Sequence, residues 1–178
     1  MAFIKESFLR SKATDVILEN AASKMMRKTA LLSTAKTVFL SHSHLDKELA
    51  KGLKNYLSSL GIDLYIDWLD SSMPPNTNME TANSIKQRIG KSDHVLVLGT
   101  NNAVRSRWVP WEIGVADIKK TPAGISILPV VDSSGRFEGS EYLQLYNRVV
   151  VANDGSIAVF EPNKTSDGII MESWLKRI

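Results

Sequence analysis

The 178-residue chain contains no cysteine. That removes disulfides, thiolate metal sites and a thiol nucleophile together, and it fits a reducing compartment. No stretch reaches the roughly 18 consecutive apolar residues that a membrane-spanning helix needs, so no membrane partner is expected. Lys5, Glu6 and Arg10 stand where a signal peptide would carry its apolar core, and a cytoplasmic location is expected. No dense Lys/Arg run or aromatic–basic stripe appears, and the net charge is only +3, 22 basic residues minus 19 acidic. Nucleic acid is therefore not an expected partner. Histidine is scarce: His42, His44 and His94. The first two alternate on an extended stretch without carboxylates placed to complete a metal site, so no metal is expected. Neither an internal repeat nor a low-complexity tract is present.

What remains is the composition of a globular protein, 43% hydrophobic and 23% charged, with room for one ordinary domain and an appendage. Residues 1–35 read as a mildly basic N-terminal helical extension, in which Leu9, Ala13, Val16, Ile17, Ala21 and Met25 recur at helical spacing. Residues 36–178 read as the main domain. Thr37-Val38-Phe39-Leu40 is a short apolar run ending in Ser41-His42-Ser43-His44, as a buried parallel strand entering a loop would be. Asp46 then opens a helix whose apolar positions are Leu49, Leu53, Tyr56, Leu57 and Leu60, and Ile62 to Asp67 is a second strand. A loop from Trp68 to Asn78 carries Pro74 and Pro75, and loops of that length are often functional. Thr77 or Asn78 can cap the next helix, with Ala82, Ile85 and Ile89 as its buried edge. Strands follow at 94–98, 125–131 and 148–152. Residues 153–161 allow a brief extended excursion and 166–178 a closing helix with Ile169, Ile170, Trp174, Leu175 and Ile178 inward.

Strands alternating with helices imply an α/β fold: a flavodoxin-like five-stranded parallel sheet, order 2-1-3-4-5, with helices on both faces. Ligands bind such sheets beyond the carboxyl ends of the strands, at the switch between the first and third. The stretch Ser106-Arg107-Trp108-Val109-Pro110-Trp111-Glu112-Ile113-Gly114 leaves that edge. Pro110 lacks an N–H and must lie in the first turn of a helix. That starts the helix near Arg107 and puts Glu112 near the positive end of its dipole, one turn from Trp108. Trp111, Val115 and Ile118 are expected to face the sheet. An aromatic beside a lone carboxylate at the mouth of an α/β sheet suits a nucleotide sugar.

In these residues the chain resembles the TIR (Toll/interleukin-1 receptor) domain family, in its bacterial, NAD-consuming branch. The likeness spans roughly residues 36–178: Val38 to Asp46 is similar to the first box, Ile66-Asp67-Trp68 and the following loop to the second, and Ser106-x-Trp108-x-x-x-Glu112 to the third. The resemblance implies an NAD⁺ glycohydrolase or cyclase in which Glu112 is catalytic. It further implies that Trp108, Ser41, His42, Ser43, Asp67, Trp68 and Ser71 line the substrate pocket, and that Met73, Pro74 and Pro75 form an assembly loop. NAD⁺ is then substrate, and no cofactor is implied. The products are nicotinamide with ADP-ribose or a cyclic ADP-ribose isomer. Self-association through TIR–TIR contacts, a separate effector that senses the product, and a role in anti-phage immune signalling belong to the same expectation. Gly99 departs from a serine that many relatives carry. A non-enzymatic TIR adaptor, or another nucleoside-sugar enzyme such as a deoxyribosyltransferase, are the rival readings.

Overall fold

The computed structural model describes residues 2–14, 37–59, 62–66, 78–139, 141–152, 155–175 and 177. Continuous apolar runs make its central strands. β2 (Thr37–Ser41) and β4 (His94–Gly99) are buried along almost their whole length, as strands covered on both faces must be. Alternate residues feed two cores. Val38, Leu40, Leu96, Leu98, Leu128 and Val130 face one side, where they meet Leu49, Leu53 and Leu57 of α2 (Lys47–Ser59). Phe39, Val95, Val97, Ile125 and Ile127 face the other, against Ile85 and Ile89 of α3 (Met79–Lys91). The helices therefore cover both faces.

The sheet corrects the expectation of five parallel strands. Among the described residues it has eight, in the order β3-β2-β4-β5-β6-β7-β8, with β1 (Ile4–Lys5) pairing β5 (Ile125–Val131) off that path. β3 (Asp63–Tyr65), β2, β4, β5 and β6 (Asn147–Val151) pair in parallel, whereas β7 (Ile157–Phe160) and β8 (Ile169–Ile170) add antiparallel, so the sheet is mixed. The closing helix is correspondingly short. Ile169 and Ile170 belong to β8, and only Met171–Leu175 is helical (the last helix, α6). Ile170 is 52% exposed, not inward. Trp174 is buried on the first core, as its apolar surface demands.

Strand β1 lies within residues 1–35, where only helix was expected. Its parallel register on Val130 and Val131, together with the paired hydrogen bonds between Ala2 and Val151, wedges the segment between β5 and β6. α1 (Glu6–Thr14) then crosses α2. Leu9 is fully buried there, and Gly52 is the crossing point: a Cβ on it would stand 1.8 Å from the Leu9 carbonyl oxygen. The Arg10–Glu48 ion pair, the Asn55 amide donating to Lys12 O at 2.9 Å, and edge-on packing of Phe8 on Tyr56 complete the contact. The expected positions Val16, Ile17, Ala21 and Met25 lie outside the described residues.

α3 begins as its sequence implies. The Asn78 side chain accepts from Thr81 N at 2.9 Å, and Thr81 Oγ1 accepts from Asn78 N, a reciprocal capping box. Past β4 the chain makes a short helix, α4 (Asn101–Arg105), and then α5 (Val109–Lys119). In α5 the buried stripe is Val109, Glu112, Ile113 and Ala116, not Trp111, Val115 and Ile118; Ile118 is 87% exposed. Both stripes keep helical spacing. The smaller side chains of the observed one let the helix lie close on the sheet and aim Glu112 into the fold, while Trp111 and Val115 are half-buried at its flank. No helix among the described residues is long and apolar enough to cross a membrane.

Candidate active site

The site forms where β2 and β4 end. Ser41, the last residue of β2, is fully buried and lies on the sheet face that α5 covers. Glu112 is 5% exposed in the first turn of α5, and its Oε2 accepts the Ser41 hydroxyl at 2.5 Å. A hydrogen bond to an ionised acceptor is stronger than one between neutral groups, and a carboxylate this deeply buried needs such donors. The helix dipole adds favourable potential at that end.

Two neighbours set the helix start. Ser106 Oγ accepts from Trp108 N at 3.2 Å and from Val109 N at 3.3 Å, taking up amides that the helix leaves orphaned. Pro110 follows in the first turn, as its missing N–H requires. Glu112 N donates to Trp108 O at 2.8 Å, which puts the two residues one turn apart. Trp108 is half-buried, and its ring meets Trp111 edge-on at a centroid distance of 5.1 Å. Lys86 sits over the outer ring, Trp111, at 5.8 Å, which explains why Trp111 lines the flank.

The loop after β2 stays close to the carboxylate. His42 is 9% exposed, with Nδ1 3.4 Å from Leu40 O, and buried Ser43 caps a 3₁₀ turn, His44–Asp46, by accepting from Leu45 N. The structure thus brings Ser41, His42, Ser43, Trp108 and Glu112 to one sheet edge. Asp67, Trp68, Ser71, Met73, Pro74 and Pro75 lie outside the described residues. Asp46 reads in sequence as a helix opener, yet its oxygens go elsewhere. Buried to 3%, it accepts from Thr100 Oγ1 at 2.5 Å and from Asn102 Nδ2 at 2.7 Å. Sequence reasoning misses this link, because its partners stand 54 and 56 positions away; the weak signal is Thr100, a residue type that caps helices, just before α4.

Gly99 closes β4 against β5. A Cβ there would lie 3.2 Å from both Ile127 Cγ2 and the Leu128 carbonyl oxygen, so any side chain would crowd this strand pair. Asn101 extends the same edge by accepting from Glu138 N at 2.8 Å, which ties down the turn around Asp132 and Gly135.

Two other features lie apart from the carboxylate. A cavity of about 450 Å³ opens beside β5 and β6, floored by Ile127 and Pro129 and flanked by Phe3, Phe137 and Arg148; neither Glu112 nor Trp108 lines it. His94 starts β4 at the opposite end of that strand. It is 1% exposed, with neither ring nitrogen hydrogen-bonded, and burial, with some help from the Lys120 ammonium, pushes its pKa down to about 3. Among the described residues no group of three His, Asp or Glu side chains could hold a metal ion.

Comparisons with known proteins place the chain in a family. A family model described as TIR domain matches residues 38–155. A Bacillus cereus (strain MSX-D12) protein named as a 3′ cyclic ADP-D-ribose synthase, ThsB′, is 31% identical over 170 residues, covering 89% of this chain and 87% of its own length. A Cytobacillus dafuensis protein named as a cyclic ADP-D-ribose synthase, TIR2, is 30% identical over 79 residues; that match covers 43% of this chain but only 21% of the relative. With the family model spanning most of the chain and the Bacillus relative matched nearly end to end, the chain belongs to the TIR domain family.

Proposed function

We propose that this protein breaks the nicotinamide–ribose bond of NAD⁺ and closes the remaining ADP-ribose into a cyclic isomer, with Glu112 as the catalytic carboxylate. One observation carries the reading: a buried carboxylate held at a helix start by the Ser41 hydroxyl, one turn past a half-buried tryptophan. The names of the two relatives support the reaction class.

The chemistry suits a single carboxylate. When the bond between ribose C1′ and the pyridinium nitrogen breaks, its electron pair stays with nicotinamide, which leaves neutral, so no general acid is required. Positive charge develops on the ribose as an oxocarbenium-like centre. Glu112, 5% exposed, stabilises that charge and hydrogen-bonds the ribose hydroxyls from a buried position, where electrostatics count most. Trp108 walls the pocket beside the leaving ring. A hydroxyl oxygen or an adenine ring nitrogen of the same molecule then bonds to C1′ through its lone pair, and the proton of that hydroxyl, or of the adenine amino group, leaves to water. NAD⁺ is the substrate, and the reaction needs no resident cofactor.

His42 and Ser43, with Asp67, Trp68 and Ser71, are proposed to complete the pocket. Met73, Pro74 and Pro75 are proposed to mediate self-association through TIR–TIR contacts. We read the parallel run β3-β2-β4-β5-β6 as a flavodoxin-like core of order 2-1-3-4-5, with the cleft at the switch between β2 and β4. The proposed setting is anti-phage signalling in the cytoplasm, with a separate effector that senses the product. The test is chromatography of purified protein incubated with NAD⁺ over a range of protein concentrations. Nicotinamide with an equal amount of cyclic ADP-ribose is the expected result. Linear ADP-ribose alone would make the protein a hydrolase, and no nicotinamide at any concentration would leave a non-enzymatic scaffold.

A further inference from the structure

We propose that Asp46 is a positioning residue of this site: it holds the loop after β2 and the loop after β4 in register, so that Glu112 is free to change partners during turnover. The inference rests on the reading of Glu112 as catalytic.

Two ties join the loops. The first is the hydrogen bond from Ser41 to Glu112. The second is Asp46, whose Oδ2 accepts from Thr100 Oγ1 and whose Oδ1 accepts from Asn102 Nδ2. If the first were the only tie, a ribose hydroxyl that drew Glu112 away from Ser41 would also release the loop that carries Glu112. The second tie stays closed while that exchange occurs.

The remaining bonds run along the chain from Asp46 to the reacting group. Asp46 N donates to Ser43 O at 2.9 Å, which fixes the carboxyl to the turn directly after Ser41. Thr100 Oγ1, while donating to Asp46, accepts from Ala103 N at 2.9 Å and so caps α4. At the far end of α4, Ser106 N donates to Ala103 O at 3.1 Å, and Ser106 Oγ takes the amides of Trp108 and Val109. Asp46 thereby sets the start of α4, α4 sets Ser106, and Ser106 sets the first turn of α5. The carboxyl itself is 3% exposed with an acceptor bond on each oxygen, so it acts through these residues and not on substrate.

The experiment measures kcat and KM for nicotinamide release, with thermal melting alongside, for wild type, Asp46→Leu, Asp46→Asn and Asn102→Ala. Leucine keeps the branched skeleton, with bulkier methyl groups in place of the oxygens, and offers no acceptor. Asparagine keeps an oxygen for Thr100, and the Asn102 amide turns to present its own oxygen to the new NH₂. Misplacing a catalytic group by a fraction of an ångström lowers kcat without changing ground-state binding, so Asp46→Leu should lose about tenfold or more in kcat with KM within about twofold. Asp46→Asn should recover to within about threefold of wild type. Asn102→Ala, at a half-buried position, should lose about threefold to fivefold in kcat with an unmoved KM. Wild-type kcat in both Asp46→Leu and Asn102→Ala overturns the clamp, as does a change in KM that matches the change in kcat. So does an Asp46→Asn variant no better than Asp46→Leu. If Asp46→Leu does not fold, the asparagine and Asn102→Ala arms decide. Failure of the proposed function shows differently: wild type then releases no nicotinamide, and the clamp falls with it.

Discussion

His94 makes the stability of this fold depend on pH in a calculable way. Its imidazole is 1% exposed at the start of β4, packed edge-on against Trp174 at 4.4 Å, with no hydrogen bond to either nitrogen. Burial, then the nearby Lys120 ammonium, lowers its pKa from 6.5 to about 3. The unfolded chain therefore binds a proton that the folded chain refuses between about pH 6.5 and pH 3, so stability rises with pH across that window and falls on acidification. At pH 5 the linkage costs the fold about 2 kcal/mol, and near pH 3 about 4 kcal/mol. For a chain of this size about 2 kcal/mol is about 4–8 °C in melting temperature. The assay is thermal melting of wild type and His94→Leu at pH 7.5 and pH 5. Leucine removes the titrating group and the unsatisfied nitrogens together, so at pH 7.5 the variant should be no less stable. Subtracting the two melts cancels every other titrating group. Wild type should lose about 4–8 °C more than the variant between the two pH values. Parallel profiles would refute the reasoning, because a neutral buried His94 cannot be reconciled with them. Nicotinamide release at pH 7.5 should be unaffected, since His94 and the site occupy opposite ends of β4.

Three further outcomes follow from named contacts. Gly52→Ala drives a Cβ into the Leu9 carbonyl at 1.8 Å; it should cost about 3 kcal/mol or more and lower the melting temperature by about 6 °C or more. Asn78→Ala removes the capping box of α3 and should cost about 1 kcal/mol, read by urea unfolding with an unchanged slope. Ser41→Ala removes a donor on buried Glu112; loss of a hydrogen bond to a charged group should cost the fold about 1.5–3 kcal/mol and lower the melting temperature by about 3–12 °C.

Much of this architecture is legible in the residues because its signals are local. The apolar runs at 37–40, 94–98 and 125–131 are too short for helices and too continuous for half-exposed strands. Pro110 confines the start of α5 to within two residues, and Asn78 announces α3. Glu112 and Trp108 follow from that helix start. The parts that were not legible depend on contacts between distant segments. β1 and β8 are two-residue strands that exist only because a neighbouring strand offers its edge, so no periodicity encodes them. The buried stripe of α5 could be read one residue out of phase because its sequence is apolar nearly all round. There the choice between Val109-Ile113-Ala116 and Trp111-Val115-Ile118 is made by closeness to the sheet and by the bond to Ser41. Asp46 precedes a helix, which is where an isolated sequence leads one to place its function; the order 2-1-3-4-5 makes the two strands neighbours, but it does not say which side chains of their loops meet across 54 and 56 positions.

The most direct measurement of the central claim is the rate of nicotinamide release by Glu112→Gln beside wild type, at matched concentration, with melting temperatures recorded for both. Glutamine keeps the shape and an oxygen for the Ser41 hydroxyl, and it removes the charge that stabilises the ribose cation. The account predicts a loss of about a hundredfold to a thousandfold in kcat, the range seen when one transition-state electrostatic contact is deleted, with a melting temperature that does not fall. Equal release by the two proteins would contradict it.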